Sequence, residues 1–76
     1  MNWDKLQAIW SQMRGALRQR WGRLTEEDLD IIGGRRDTFI GRVQERYSID
    51  RVEAQQRIEE WLRTLQEQKI LTGKAH

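Results

Sequence analysis

Few residues in this chain are suited to making or breaking bonds. The single histidine, His76, is the last residue of 76. There is no cysteine, which excludes a thiol nucleophile, a thiolate metal site and a disulfide scaffold. Ser11 and Ser48 have no base close to them in sequence. Carboxylates are plentiful, and Glu26, Glu27, Asp28 and Asp30 crowd one short stretch. These could be imagined as an acid–base pair or a site for a hard cation. The EF-hand loop pattern is absent, however, and the first turn of a helix accounts for them, because its dipole favours anions. Acid–base catalysis also needs a pocket and a tuned pKa, and so short a chain has little volume in which to build one. The expectation is a non-enzyme, with no catalytic residue, no metal ligands and no cofactor.

Chemistry of recognition is better supplied. Arg14, Arg18, Arg20 and Arg23 fall in a stretch without acids, directly ahead of the acidic run. One reading is dipole matching, with cations at one helix C-terminus and anions at the next N-terminus. The other is a basic contact patch. Gly33-Gly34-Arg35-Arg36 has two backbone amides beside two arginines, which could hold a phosphate or another anion. The alternative there is a hinge with solvated arginines, and the glycine spacing matches no phosphate-loop motif. Arg14, Arg18, Arg35 and Arg36 are the candidate contacts to an anion or a macromolecular partner. Net charge does not decide the matter. It is only +2, and each half of the chain carries seven basic and six acidic residues.

The elements that must position these residues are helical. Trp3, Leu6, Trp10, Met13, Leu17 and Trp21 are spaced as one stripe of a helix over 3–21, with Asn2 as N-cap and Gly22 just past its end. Thr25 followed by Asp28 predicts a capping box, and Leu24 with Leu29 a hydrophobic staple. This second helix, with Ile31 and Ile32 on its apolar side, stops at Gly33-Gly34, since glycine enters the left-handed region at little cost. A third helix over 35–47 buries Phe39 or Ile40, then Val43 and Tyr47, and breaks at Ser48 and Ile49. Asp50 caps a fourth, with Glu53 at the box position and Ala54, Ile58, Trp61, Leu62 and Leu65 as its stripe. Glu53 with Arg57 and Glu59 with Arg63 are favourable pairs on its polar side. Lys69 suits its last turn, Gly73 its stop, and the tail from about residue 73 is expected to be loose. No run shows strand periodicity.

A shift of 26 residues exposes a weak internal repeat. Met13 to Leu17 matches Phe39 to Val43 and Arg20-Trp21-Gly22 matches Arg46-Tyr47-Ser48, and both copies then lead into a helix cap, Thr25 in one and Asp50 in the other. Each half therefore has the form of a helical hairpin, and the fold expected is all-α: four helices as two crossed α-hairpins, an orthogonal bundle in a single domain over 1–76. Gly15 and Gly41 occupy equivalent positions inside helices, where glycine is costly. Close approach of the first and third helices would explain both; the alternative is that both lie on exposed faces and are merely tolerated. The tryptophans Trp3, Trp10, Trp21 and Trp61 all lie on apolar stripes and are expected in the core, with Trp3 the strongest candidate for a surface anchor.

The segment from Trp10 to Trp61 resembles the CsbD-like family of small bacterial stress-induced proteins. The resemblance rests on Trp10 with Gly15, on Trp21-Gly22-Arg23-Leu24-Thr25 followed by acids, on Ile32-Gly33-Gly34-Arg35-Arg36-Asp37, and on Gly41-Arg42-Val43-Gln44-Glu45-Arg46-Tyr47. It implies crossed helical hairpins, expression under general stress and a bacterial cytoplasmic setting, and no known reaction. The last helix is longer here than in short members of the family. The leading expectation is a non-enzymatic general stress-response protein that binds an unidentified macromolecular partner, with self-association open. The alternative is a nucleic-acid-associated helical module using the arginine-rich surface. No apolar run is long enough for a membrane span, and with no export signal the expected location is the cytoplasm.

Overall fold

A computed structural model of the chain describes the backbone of residues 2–74 and the side chains of residues 2–65. The described elements are α1 (Trp3–Ala8), a 3-10 turn (Trp10–Met13), α2 (Arg14–Arg20), α3 (Glu26–Ile32), α4 (Arg36–Tyr47) and α5 (Arg51–Lys74). The architecture is all-α, with α3 packed on α4 and α4 on α5.

The first helix differs from its expected form. A single rod over 3–21 would be roughly 28 Å long, against about 18 Å for the 12-residue α4 on which the core is built. Its ends would overrun that core. The chain instead breaks at Ile9 (φ −114°, ψ 21°) and passes through the 3-10 turn, so that Leu6, Trp10 and Leu17 all become buried. The break is pinned by Trp10, whose indole Nε1–H donates to the Leu29 carbonyl at 3.0 Å. That oxygen also accepts the Gly33 N–H, so both its lone pairs are used.

The caps follow the sequence closely. Asn2 accepts the Lys5 N–H at 2.8 Å. Both arms of the Thr25–Asp28 capping box are made, at 3.0 and 2.9 Å, and Asp50 accepts the Glu53 N–H at 2.7 Å. Gly33 ends α3 in the left-handed region at φ 54°. Ser48 ends α4 in the same region at φ 55°, with the Ile49 N–H on the Gln44 carbonyl. The repeat is therefore local in character. Trp21 and Tyr47 do pack together edge to face, at 5.7 Å between ring centroids, but α2 ends at Trp21 with φ −116°, so the two equivalent turns have different shapes.

The core is a cluster of apolar side chains drawn from every element. Phe39 lies at its centre and is fully buried. Its ring meets Trp3, Trp10, Trp21 and Trp61 edge to face, at 6.2, 5.5, 5.9 and 6.4 Å. Ile40 is buried beside it, so both residues between which the sequence left the choice are core. Trp3 is the one tryptophan only partly covered. From α5, Ala54, Ile58, Trp61 and Leu62 are buried and Leu65 packs partly against them. This helix does not stop at Gly73 but continues to Lys74, because glycine without a competing cap is tolerated near a helix end. The expectations for the Lys69 side chain and for the last two residues lie outside the described residues.

The close backbone approach is not where Gly15 and Gly41 suggested. A Cβ on either would have nothing within 4 Å. The tight contact is at Gly34, where φ is 84° and a Cβ would stand 2.7 Å from Gln7 Cα. The break at Ile9 tips α1 onto the hinge rather than onto α4 at Gly41. Two stability measurements follow. Gly34→Ala should lose about 1–3 kcal/mol through backbone strain and overlap with α1. Gly15→Ala should gain about 0.5–1 kcal/mol by reducing the freedom of the unfolded chain. In thermal unfolding the first should melt below the parent and the second at or above it; a Gly34→Ala protein as stable as the parent would remove the contact with Gln7.

Candidate functional site

The arginines singled out by the sequence lie around α3, at its two ends. Arg14 and Arg18 are one turn apart on α2 and converge on Glu26 in the first turn of α3. Arg14 Nη2 lies 2.6 Å from Glu26 Oε2, and Arg18 Nη1 reaches Glu26 Oε1. Arg14 also meets Asp30 at 3.0 Å. The Arg14 hydrogen bond holds the Glu26 carboxyl below its ordinary pKa, with Arg18 adding to the effect. At the other end of α3, Arg35 Nη2–H donates to the Ile31 carbonyl at 2.6 Å and Nε–H to the Ile32 carbonyl at 3.3 Å. Arg35 therefore caps the C-terminus of α3, where carbonyls lack helical partners. Arg36 makes no hydrogen bond or ion pair among the described residues, and its guanidinium lies 5.7 Å from the centroid of the Trp3 ring. Arg14 and Arg18 are thus brought together, while Arg35 and Arg36 stand apart from them.

Three arrangements escaped the sequence. The first is centred on Asp28, which is 1% exposed. Its Oδ2 accepts the Thr25 N–H and Arg46 Nε–H, both at 2.9 Å, and its Oδ1 accepts Arg46 Nη2–H at 3.1 Å. Arg42 Nη1 lies 3.6 Å from Oδ1. Burial pushes the Asp28 carboxyl up, but the Arg46 fork and the Thr25 N–H outweigh it and hold the group below the usual carboxylate range. A signal was available: Arg42 and Arg46 are spaced i,i+4 on the polar side of α4, and a capping-box carboxylate keeps one oxygen for another donor. The second and third are arginines resting on rings. Arg20 lies 4.2 Å from the Trp21 centroid and Arg23 5.7 Å from that of Tyr47. Such contacts depend on the turn between α2 and α3, which spacing does not reveal.

A polar depression on α5 is lined by Gln56, Glu59, Glu60 and Arg63, all from that one helix. Among the described residues no group of three His, Cys, Asp or Glu side chains is placed to hold a metal ion. No described helix is long and apolar enough to cross a membrane. The buried indole Nε1 of Trp21 has no hydrogen-bond partner among the described residues.

No family model matches the chain, and no solved structure matches it. Curated relatives do. The UPF0337 protein YjbJ of Escherichia coli K12 is 38% identical over 61 residues, covering 80% of this chain and 88% of the relative. A UPF0337 protein of Pectobacterium atrosepticum is 39% identical with the same coverage. A UPF0337 protein of Nitrosomonas europaea is 34% identical over 58 residues, 76% of this chain and 62% of the relative.

The Asp28 arrangement makes stability depend on pH. Because the folded pKa lies below the ordinary value of 3.8, the contribution is complete above that value and is lost as pH falls through the folded one. Glu26 is shifted in the same direction and adds to the slope. Denaturant titrations from about pH 5 towards pH 1 should show stability falling, with a shallower fall for Asp28→Asn, which should also cost about 1–3 kcal/mol at neutral pH by leaving Arg46 without its carboxylate. Equal slopes for the two proteins would remove Asp28 from the acid response.

Proposed function

We propose that this chain, which belongs to the UPF0337 family of YjbJ and its CsbD-like relatives, is a non-enzymatic stress-response protein of the bacterial cytoplasm that acts by binding a macromolecular partner. One observation supports the non-catalytic part most directly. Asp28 is the buried ionisable side chain among the described residues, and it is held below its ordinary pKa by a guanidinium and a backbone amide. A general acid or base is useful when its pKa is moved towards the working pH, and this one is moved away. The surrounding ionic contacts join one helix to another, as Arg14 and Arg18 do on Glu26. A second copy of the chain is one candidate partner. The relatives carry no enzymatic name, which accords with this reading.

A second reading, a nucleic-acid-associated helical module, has its own support: Arg20, Arg23 and Arg36 stand at the surface with no acidic partner among the described residues. Of the four arginines proposed from sequence as partner contacts, Arg36 can serve as it stands. Arg14, Arg18 and Arg35 would first have to leave Glu26, Asp30 and the α3 carbonyls.

The stress assignment is tested in the native host. The amount of the protein, followed by immunoblot through stationary phase, heat and osmotic shock, should rise several-fold in at least one. A deletion strain should survive that condition less well, with survival restored by the intact gene. A level unchanged across all three would overturn the stress role, and turnover of a substrate by purified protein would overturn the non-catalytic one.

A further inference from the structure

Sorting the arginines by what holds each guanidinium isolates one pair. Arg14, Arg18, Arg42, Arg46, Arg51 and Arg57 each face a carboxylate, and Arg35 holds backbone carbonyls. Among the described residues Arg20, Arg23, Arg36 and Arg63 face neither, but Arg36 lies alone near the Trp3 ring and Arg63 near no ring, which leaves Arg20 and Arg23 as the neighbouring pair. Both are exposed, and neither side chain donates a hydrogen bond to the described chain, so the N–H donors of both guanidinium forks are open to a ligand. Yet both are anchored. Arg20 lies over the ring of Trp21, which is fully buried apart from such contacts, and Arg23 over the ring of Tyr47. Those rings pack on one another, and the Tyr47 hydroxyl accepts the Arg23 N–H at 3.3 Å. Two cations are therefore seated on one aromatic block that is continuous with the core. Gly22 between them adds no side chain to screen either.

Resting on the second reading above, we infer that Arg20 and Arg23, seated on Trp21 and Tyr47, form a binding surface for the phosphodiester backbone of a nucleic acid. A guanidinium presents a fork that fits phosphate oxygens bidentately, and seating it on a ring removes part of the ordering cost of that contact. Two such forks at neighbouring points suit a ligand that offers anions in a row. Arg46, next in sequence to Tyr47, is already forked onto the buried Asp28, so the surface rests on Arg20 and Arg23. Among the opposing charges on these elements, Glu45 lies 3.7 Å from Arg42, and both Glu45 and Glu27 act on Arg46. Contacts of this kind read charge and spacing, so binding is independent of base sequence.

Fluorescence anisotropy with a labelled DNA duplex and a labelled single-stranded RNA tests this. With two phosphates neutralised, affinity for the duplex should fall about tenfold between about 50 and 200 mM salt, and somewhat less for the single strand. Arg20→Glu with Arg23→Glu should abolish binding, while the charge-matched control Lys5→Glu with Arg63→Glu keeps most of it. Circular dichroism establishes that each variant is folded. The charge-conserving pair Arg20→Lys with Arg23→Lys, which leaves the fold least disturbed, should keep the salt dependence and bind several-fold more weakly. Lysine variants that bind as the parent does would overturn the role of the seated guanidiniums. Equal loss in the control would overturn this surface while leaving nucleic-acid binding in place. Failure of the parent to bind either polymer at low salt would overturn the second reading with it. Equally tight binding of polyglutamate through the same two arginines would replace the phosphate by a carboxylate partner.

Discussion

Most of the helices are arranged around the ring of Phe39. It is the only phenylalanine in the chain, and α1, the 3-10 turn, the end of α2 and α5 each deliver one tryptophan to it. Each pair meets edge to face, the geometry in which the positive rim of one ring faces the negative face of another, and each adds about 0.5–1.5 kcal/mol beyond the area it buries. A small domain has little core, and one centre touched by four large rings uses that core efficiently. The constraint also shapes the backbone. Trp3, Trp10 and Trp21 cannot all reach one ring from a straight rod, so the first helix must break. It breaks where the Trp10 indole can still find an acceptor, at the Leu29 carbonyl.

Polar contacts then fix what the rings leave free. Edge-to-face contacts tolerate some sliding and rotation, whereas a bidentate carboxylate–guanidinium pair does not. The Asp28–Arg46 pair ties the N-terminal turn of α3 to the last turn of α4, and Arg14 and Arg18 tie the same turn of α3 back to α2. The N-terminus of α3 is thus held from two sides, and Arg35 closes its other end. The ion pairs of Arg14 and Arg18 with Glu26, Arg46 with Asp28 and Arg51 with Asp37 join separate segments of the fold.

Much of the helical grammar is legible in the sequence because it is local. Asn2, Thr25 with Asp28, Gly33 and Asp50 act on backbone groups within four residues, and the structure places them as their chemistry requires. The core stripe of α5 is legible for the same reason. What is not legible depends on elements far apart in the chain. The break at Ile9 answers to Leu29 and Phe39. The tight glycine is Gly34, because α1 leans on the hinge, and Gly15 and Gly41, identical in type and equivalent in the repeat, have open space beside them. The surroundings of the candidate arginines are hidden from the sequence in the same way. Arg14, Arg18, Arg20 and Arg23 form one undivided basic run in sequence, and only the fold separates the two that answer to Glu26 from the two that rest on rings.

That separation bears on how a structural core and a contact surface coexist in so short a chain. Trp21 meets Phe39, Tyr47 and Trp61 inside the core while Arg20 covers its outer side. The same ring therefore stabilises the fold and seats a surface charge. A side chain placed this way loses little freedom on binding a ligand, because the fold has already restricted it. Arginine suits the position better than lysine, since its flat guanidinium lies on a ring without surrendering its N–H edge. A short chain can present ordered donors without a deep cleft, provided the groups that order them are the ones already required to hold the helices together.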